Sequence, residues 1–202
     1  MTIFRTLIGA GAAVAALALA AAPSQAQTVE KSVKVAPGGL YEIVFNPADS
    51  TLLVAAVGPR GENSAAVARL NADLTPGAPI PLGENGVYGL GFNSRTQTLY
   101  GTATRTGALV AIDVRGGRVA AQITDGDNDS AHVREVVVDE ARNKAYVTIV
   151  GGDAGDSSRP NQVWVVDGAT NALERKIDAT VGGLTGAALD ATGNRLFVTG
   201  MS

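Results

Sequence analysis

Arg134-Glu135-Val136-Val137-Val138-Asp139 stacks without a gap on Tyr41-Glu42-Ile43-Val44-Phe45-Asn46, Tyr88-Gly89-Leu90-Gly91-Phe92-Asn93 and Thr185-Gly186-Ala187-Ala188-Leu189-Asp190. Each segment is an apolar run closed by Asn or Asp, and the closing residues Asn46, Asn93, Asp139 and Asp190 stand 47, 46 and 51 residues apart. Seven residues after each comes a large apolar side chain, Leu53, Tyr100, Tyr146 or Phe197. Between them lie polar turns such as Asn143-Lys144 and Gly193-Asn194-Arg195, which is hairpin spacing. A third strand ends at Leu70-Asn71, Ile112-Asp113 and Val166-Asp167, and a fourth runs from Val119 to Ile123 and from Leu173 to Ile177. Four strands repeating at this period predict the blades of a β-propeller; the coils of a β-solenoid are shorter and lack a four-strand meander.

Working outward, the fold class is all-β, with antiparallel four-stranded blades. The 25 glycines and the abundant valine and threonine agree, since glycine serves tight turns and β-branched residues suit a pleated surface. Blades are expected over 41–80, 88–124 and 134–178, with a fourth begun at 185–202, about three and a half blades in all. The run Val29-Glu30-Lys31-Ser32-Val33-Lys34-Val35 aligns on the outer-strand segment Leu173 to Ala179, so 29–35 is expected to be a closing strand that pairs with a final blade. Three and a half blades do not close a ring, and the expectation is that the chain is the N-terminal part of a longer propeller.

Arg5, the apolar stretch Leu7 to Ala22 and the small residues of Ser24-Gln25-Ala26 predict a signal peptide over 1–26, hence a periplasmic or secreted protein with no membrane segment after cleavage. Without Arg5 the chain keeps 15 basic residues against 19 acidic ones, so no large basic face is implied. Cysteine is absent, which excludes disulfides and leaves stability to a packed core.

Tyr146-Val147-Thr148 and Phe197-Val198-Thr199 resemble the Tyr-Val-Thr-Asn signature of the YVTN-repeat propellers. Arg134 to Asp139 and Val163-Trp164-Val165-Val166-Asp167-Gly168 are similar to the matching segments of the periplasmic YncE-type family. The resemblance covers residues 29–202 and implies a seven-bladed, exported, cofactor-free propeller that binds protein or nucleic acid rather than catalysing a reaction. Blades one and two depart from the signature, reading Leu53-Val54-Ala55 and Tyr100-Gly101-Thr102.

In a propeller the innermost strands line the central channel, and the loops that enter them face one mouth. The residues opening those strands are Tyr41, Tyr88, Arg134 and Thr185, with Glu42 and Glu135 next in line. Side chains alternate along a strand, so one member of each pair is expected to face the channel and the other a neighbouring blade. These six are the candidate binding residues; inter-blade hydrogen bonds and ion pairs are the competing role. Asp125, Asp127 and Asp129 alternate on an acidic turn as calcium ligands do, but Ser130 stands where an EF-hand needs glycine and Val136 where it needs glutamate. Gly151 to Pro160 lengthens a hairpin of the third blade as a surface loop.

His132 is the only histidine, so no zinc pair can be built, and no nucleophile elbow, phosphate loop or dinucleotide fingerprint is present. No catalytic residue, cofactor or metal is assigned. The sequence therefore reads as a binding module for a protein, a peptide or single-stranded nucleic acid, with a lactonase-like hydrolase, completed by further blades, as the alternative. One expectation is tested directly: N-terminal sequencing of the exported protein should begin at Gln27.

Overall fold

A computed structural model describes residues 28–126, 131–153, 155 and 158–201. The segment 1–26, expected as a signal peptide, lies outside the described residues. The chain divides into a unit spanning Met1–Glu30, of which 28–30 are described and carry no regular structure, and a unit spanning Lys31–Ser202. Among the described residues no helix is long and apolar enough to cross a membrane.

The second unit is a series of antiparallel meanders. The first sheet holds β1 (Leu40–Asn46), β2 (Thr51–Ala56), β3 (Ala65–Leu70) and β4 (Ile80–Gly83). The second holds β5 (Leu90–Asn93), β6 (Thr98–Ala103), β7 (Ala108–Asp113) and β8 (Arg118–Ile123). The third holds β9 (Val133–Asp139), β10 (Lys144–Ile149), β11 (Gln162–Asp167) and β12 (Ala172–Asp178), and β13 (Leu184–Asp190) pairs with β14 (Arg195–Gly200). The first strands β1, β5, β9 and β13 are successive neighbours, which is the inner wall of a propeller.

Strands β6 and β7 of the second sheet are buried at nearly every position because both faces are covered. Leu99, Val110 and Ile112 join one core with Leu53, Val67 and Ile80 of the first sheet. Their neighbours Tyr100, Leu109 and Ala111 point the other way, into a core with Val136, Val147 and Trp164 of the third sheet. Period-two alternation thus feeds two cores from one sheet. Each fully buried leucine or isoleucine in them contributes about 1.5–3 kcal/mol. On the first sheet the far face is different: Ile43 and Phe45 remain half exposed, while Val35 packs beside Val54, Ala68 and Leu70.

The closing residues of the first three inner strands tie each sheet to the next, directly or through a neighbour. Asn46 Nδ2 donates to Gln97 Oε1 at 2.8 Å, and Gln97 Nε2 donates back to Asn46 Oδ1 at 3.1 Å, with both residues buried. Asn93 Nδ2 donates to Asn143 Oδ1 at 2.9 Å, and Ser94 hydrogen-bonds Glu140 through both its backbone N–H and its hydroxyl. Arg142 Nη1 bonds buried Asp139 at 2.7 Å and the Ala191 carbonyl at 3.1 Å, linking the third sheet to the two-stranded one. Burial acts against the charge on Asp139, but the side-chain and backbone donors of Arg142 hold its carboxyl below the ordinary carboxylate range.

The segment 29–35, expected to pair as a closing strand with a final blade, joins none of the four sheets described. Instead Lys31 donates to the Asp73 carbonyl and Val35 lies on the apolar patch just described.

The Asn46–Gln97 pair makes a measurable claim. Asn46→Ala and Gln97→Ala each strip a buried amide of its cross-sheet partner, leaving Gln97 only the Ser94 carbonyl and Asn46 only the Ala48 N–H, and should each cost about 1–3 kcal/mol in urea unfolding. A double-mutant cycle should return a favourable coupling, because removing the second amide costs less once the first is gone.

Candidate channel-mouth site

The mouth is built from a repeated irregularity. In β9 and β10 the ladder pairs Val136 with Val147 and Val133 with Ile149, so Arg134 and Glu135 together oppose Thr148. The first sheet does the same, with Tyr41 and Glu42 opposite Ala55 between the Leu40–Ala56 and Ile43–Val54 pairs. In the second sheet Tyr88 and Gly89 face Thr102, and in β13 Thr185 is the extra residue between the Leu184–Gly200 and Gly186–Thr199 pairs. Each inner strand therefore opens on a β-bulge, which turns side chains out of the regular alternation.

A bulge leaves a backbone donor without its ladder partner, and a threonine hydroxyl supplies one. Thr148 Oγ1 accepts the Glu135 N–H at 3.1 Å. Thr102 Oγ1 accepts the Gly89 N–H at 2.8 Å and donates to the Arg134 carbonyl at 3.0 Å, pinning the third sheet to the second. These are the threonines of Tyr146-Val147-Thr148 and Tyr100-Gly101-Thr102, which gives that position of the repeat a physical role. Gly89 is required here: a Cβ would lie 2.8 Å from the Arg134 carbonyl oxygen and 2.9 Å from the Thr102 hydroxyl.

Tyr41 and Glu42 border one cavity together, as do Arg134 and Glu135; within each pair the first residue is exposed and the second half-buried. All six sequence candidates, Tyr41, Glu42, Tyr88, Arg134, Glu135 and Thr185, meet around this cavity of about 220 Å³. The Tyr41 and Tyr88 rings meet edge to face, 4.5 Å between centroids and 70° between planes. Glu42 also has a structural task, since its Oε2 accepts the Leu90 N–H at 2.6 Å across the first two sheets.

A second cavity of about 580 Å³ adjoins the first and shares Tyr88 and Arg134 with it. Its other walls are Arg60, Thr104 and Arg105, and the Arg105 guanidinium lies 5.7 Å from the Tyr88 ring centroid. Arg60 and Arg105 escaped the sequence reading because they lie in the loops after β2 and β6, which differ in length and share no repeat column. The two cavities differ in charge: the larger is lined by three arginines, whereas the smaller sets Glu42 and Glu135 against Arg134 alone. Burial and then the charge of Glu42 push the Glu135 carboxyl above its ordinary range, with Arg134 only partly opposing.

The remaining candidates fall elsewhere. Asp125 forms an ion pair with Lys176 at 3.2 Å, so an ammonium already engages the first residue of the supposed calcium turn; Asp127 and Asp129 lie outside the described residues. Among the described residues no group of three His, Cys, Asp or Glu side chains is placed to hold a metal. His132 borders a separate cavity with Arg159 and Lys176; desolvation, then Arg134 and Arg159, lower its basicity. The loop between β10 and β11 is closed at its base by buried Asn161, which accepts from Gly151 N, donates to the Gly152 carbonyl, and accepts from Leu184 N at the start of β13.

No protein-family model matches the chain. The protein YncE of Escherichia coli O157:H7 is 29% identical over 189 residues, covering 90% of this chain and 52% of that protein. YncE of Escherichia coli K12 is 29% identical over 181 residues, covering 86% and 49%. YncE of Salmonella typhi is 35% identical over 118 residues, 55% of this chain and 31% of that one. The chain is a YncE-like β-propeller. It spans about half the length of the curated relatives it matches. Two solved structures share the fold. A chain of Kuenenia stuttgartiensis hydrazine synthase superposes with a TM-score of 0.64 at 17% identity, over 84% of this chain and 44% of that one. A chain of a nidogen/laminin complex gives 0.56 at 14%, over 78% and 55%.

The electrostatics of the YncE-like mouth can be checked by carboxyl NMR titration. Glu42→Gln removes the repulsive neighbour, so the Glu135 carboxyl should titrate at lower pH in the variant than in the parent. An unchanged or raised midpoint would show that the two carboxyls do not interact.

Proposed function

We propose that this chain is an exported binding module whose propeller mouth engages a protein or peptide segment. The observation that supports this reading is the convergence of six side chains from four successive sheets on one cavity, beside a second cavity that shares Tyr88 and Arg134. Rigid strands carry the side chains, bulges aim them, and threonine hydroxyls fix the bulges, so little ordering remains to be done on binding.

Single-stranded nucleic acid is the second reading, favoured by the Tyr88 ring and the three arginines around it, a pairing suited to base stacking and phosphate. The formal charge of −3 and the two glutamates count against strong phosphate binding. A hydrolase would draw on the same glutamates, but among the described residues no third carboxylate or imidazole joins them in a metal-binding group.

Fluorescence anisotropy of a dye-labelled random peptide pool and of a labelled 12-nucleotide single strand, each at two salt concentrations, separates these readings. Peptide binding weakened roughly tenfold or more by Tyr88→Ala, in a protein whose circular dichroism is unchanged, is the expected result. Peptide binding indifferent to both Tyr88→Ala and Arg134→Ala would overturn the mouth as the site. Oligonucleotide binding that falls steeply with salt would transfer the assignment to nucleic acid.

A further inference from the structure

The paired cavities differ in charge, and that difference selects a ligand. The smaller one has two carboxylates, Glu42 from β1 and Glu135 from β9, together with the edge-to-face rings of Tyr41 and Tyr88. The larger one is lined by Arg60, Arg105 and Arg134, the last shared with the smaller cavity, and the Arg105 guanidinium lies 5.7 Å from the Tyr88 ring centroid. A simple anion would meet the arginines but be repelled by the glutamates, and a simple cation would meet the reverse. A molecule with a positive end and a negative end satisfies both.

We infer that the mouth binds a short linear peptide with free termini, its α-ammonium among Glu42, Glu135 and the two tyrosines and its α-carboxylate among Arg60, Arg105 and Arg134. This rests on the reading of the mouth as a peptide-binding site and narrows it to the terminal charges.

Four physical points carry the assignment. An ammonium is attracted both by carboxylates and by the faces of aromatic rings, and the smaller cavity offers both. Arginine is the side chain whose planar fork matches a carboxylate, and three of them border the larger cavity. The half-buried Glu135 faces Glu42 across the cavity, with Arg134 beside it on its own strand and Tyr41, Tyr88 and Thr185 completing the wall; the repulsion from Glu42 outweighs the attraction of Arg134. An ammonium placed there relieves that repulsion. Size agrees as well: the two cavities, about 220 and 580 Å³, lie within the compass of small-ligand sites of roughly 300–1,000 Å³ when taken as one, and an extended tripeptide reaches about 10 Å.

Calorimetric titration of the full chain with trialanine, N-acetyl-trialanine, trialanine amide and free alanine tests it. Trialanine should bind, and each cap should weaken binding roughly tenfold or more, the usual worth of a charge-assisted contact. Glu135→Gln should abolish the penalty for the acetyl cap and keep that for the amide; Arg105→Gln should do the opposite. Circular dichroism of both variants verifies the fold, and because Arg105 is an exposed loop residue its variant is the safer of the two. Equal binding of all three peptides would overturn the proposal, as would alanine binding as tightly as trialanine or caps whose penalties ignore both substitutions. If trialanine fails to bind while pooled peptides still depend on Tyr88, the terminal-charge proposal falls and the peptide-binding mouth stands. If pooled peptides bind without regard to Tyr88 and Arg134, the mouth itself is lost and this proposal with it.

Discussion

A sheet that is apolar on both faces cannot stand alone in water, and every other feature of this chain follows from that constraint. The side chains of β6 and β7 alternate between two cores, one shared with the sheet before and one with the sheet after. Stacking is then obligatory, and it sets the inner strands side by side so that their first residues converge. The buried polar column at the other end of those strands, Asn46, Asn93 and Asp139, serves the same constraint from the polar side. Each of these groups reaches its partner directly or through the next hairpin, so close stacking costs no unpaired donor there. The two-stranded sheet shows the constraint unmet: Phe197 stays half exposed, with the Arg195 guanidinium 5.2 Å from its ring centroid as partial cover.

Legibility in the sequence followed the repeat. The blades could be read because anchors such as Asn93 and Asp139 recur in one register, and the six mouth residues because they occupy two adjacent alignment columns. What lay off the column was not legible. Arg60 and Arg105 sit in loops of unrelated length, and nothing in their surroundings marks them as neighbours of Tyr88. The bulges at Tyr41-Glu42 and Arg134-Glu135 were not legible either, because a bulge is a property of two strands, visible only when the opposite residue, Ala55 or Thr148, is known. Residues 29–35 share the pattern of β12 without joining any of the four sheets described.

The electrostatic contrast at the mouth has a structural origin. The glutamates stand on the bulged strand pairs themselves, where Glu42 also serves the Leu90 N–H and cannot drift toward the arginines. Arg60 and Arg105 come from loops at the same end of the sheets. Fixed negative charge at the floor and more adjustable positive charge at the rim would make one end of a ligand the anchor and leave the other to adapt.

The bulge bears also on how such a surface changes over time. An ordinary strand offers one outward side chain at its entrance, and altering its neighbour disturbs the core. Here each of the first three sheets offers a dipeptide, and in two of them a threonine hydroxyl on the facing strand accepts a backbone N–H of that dipeptide. Tyr41-Glu42, Tyr88-Gly89 and Arg134-Glu135 are three different dipeptides on one unchanged frame. Gly89 and Glu42 keep structural tasks of their own, so the freedom to vary without disturbing the blades falls to Tyr41, Tyr88 and the Arg134-Glu135 pair.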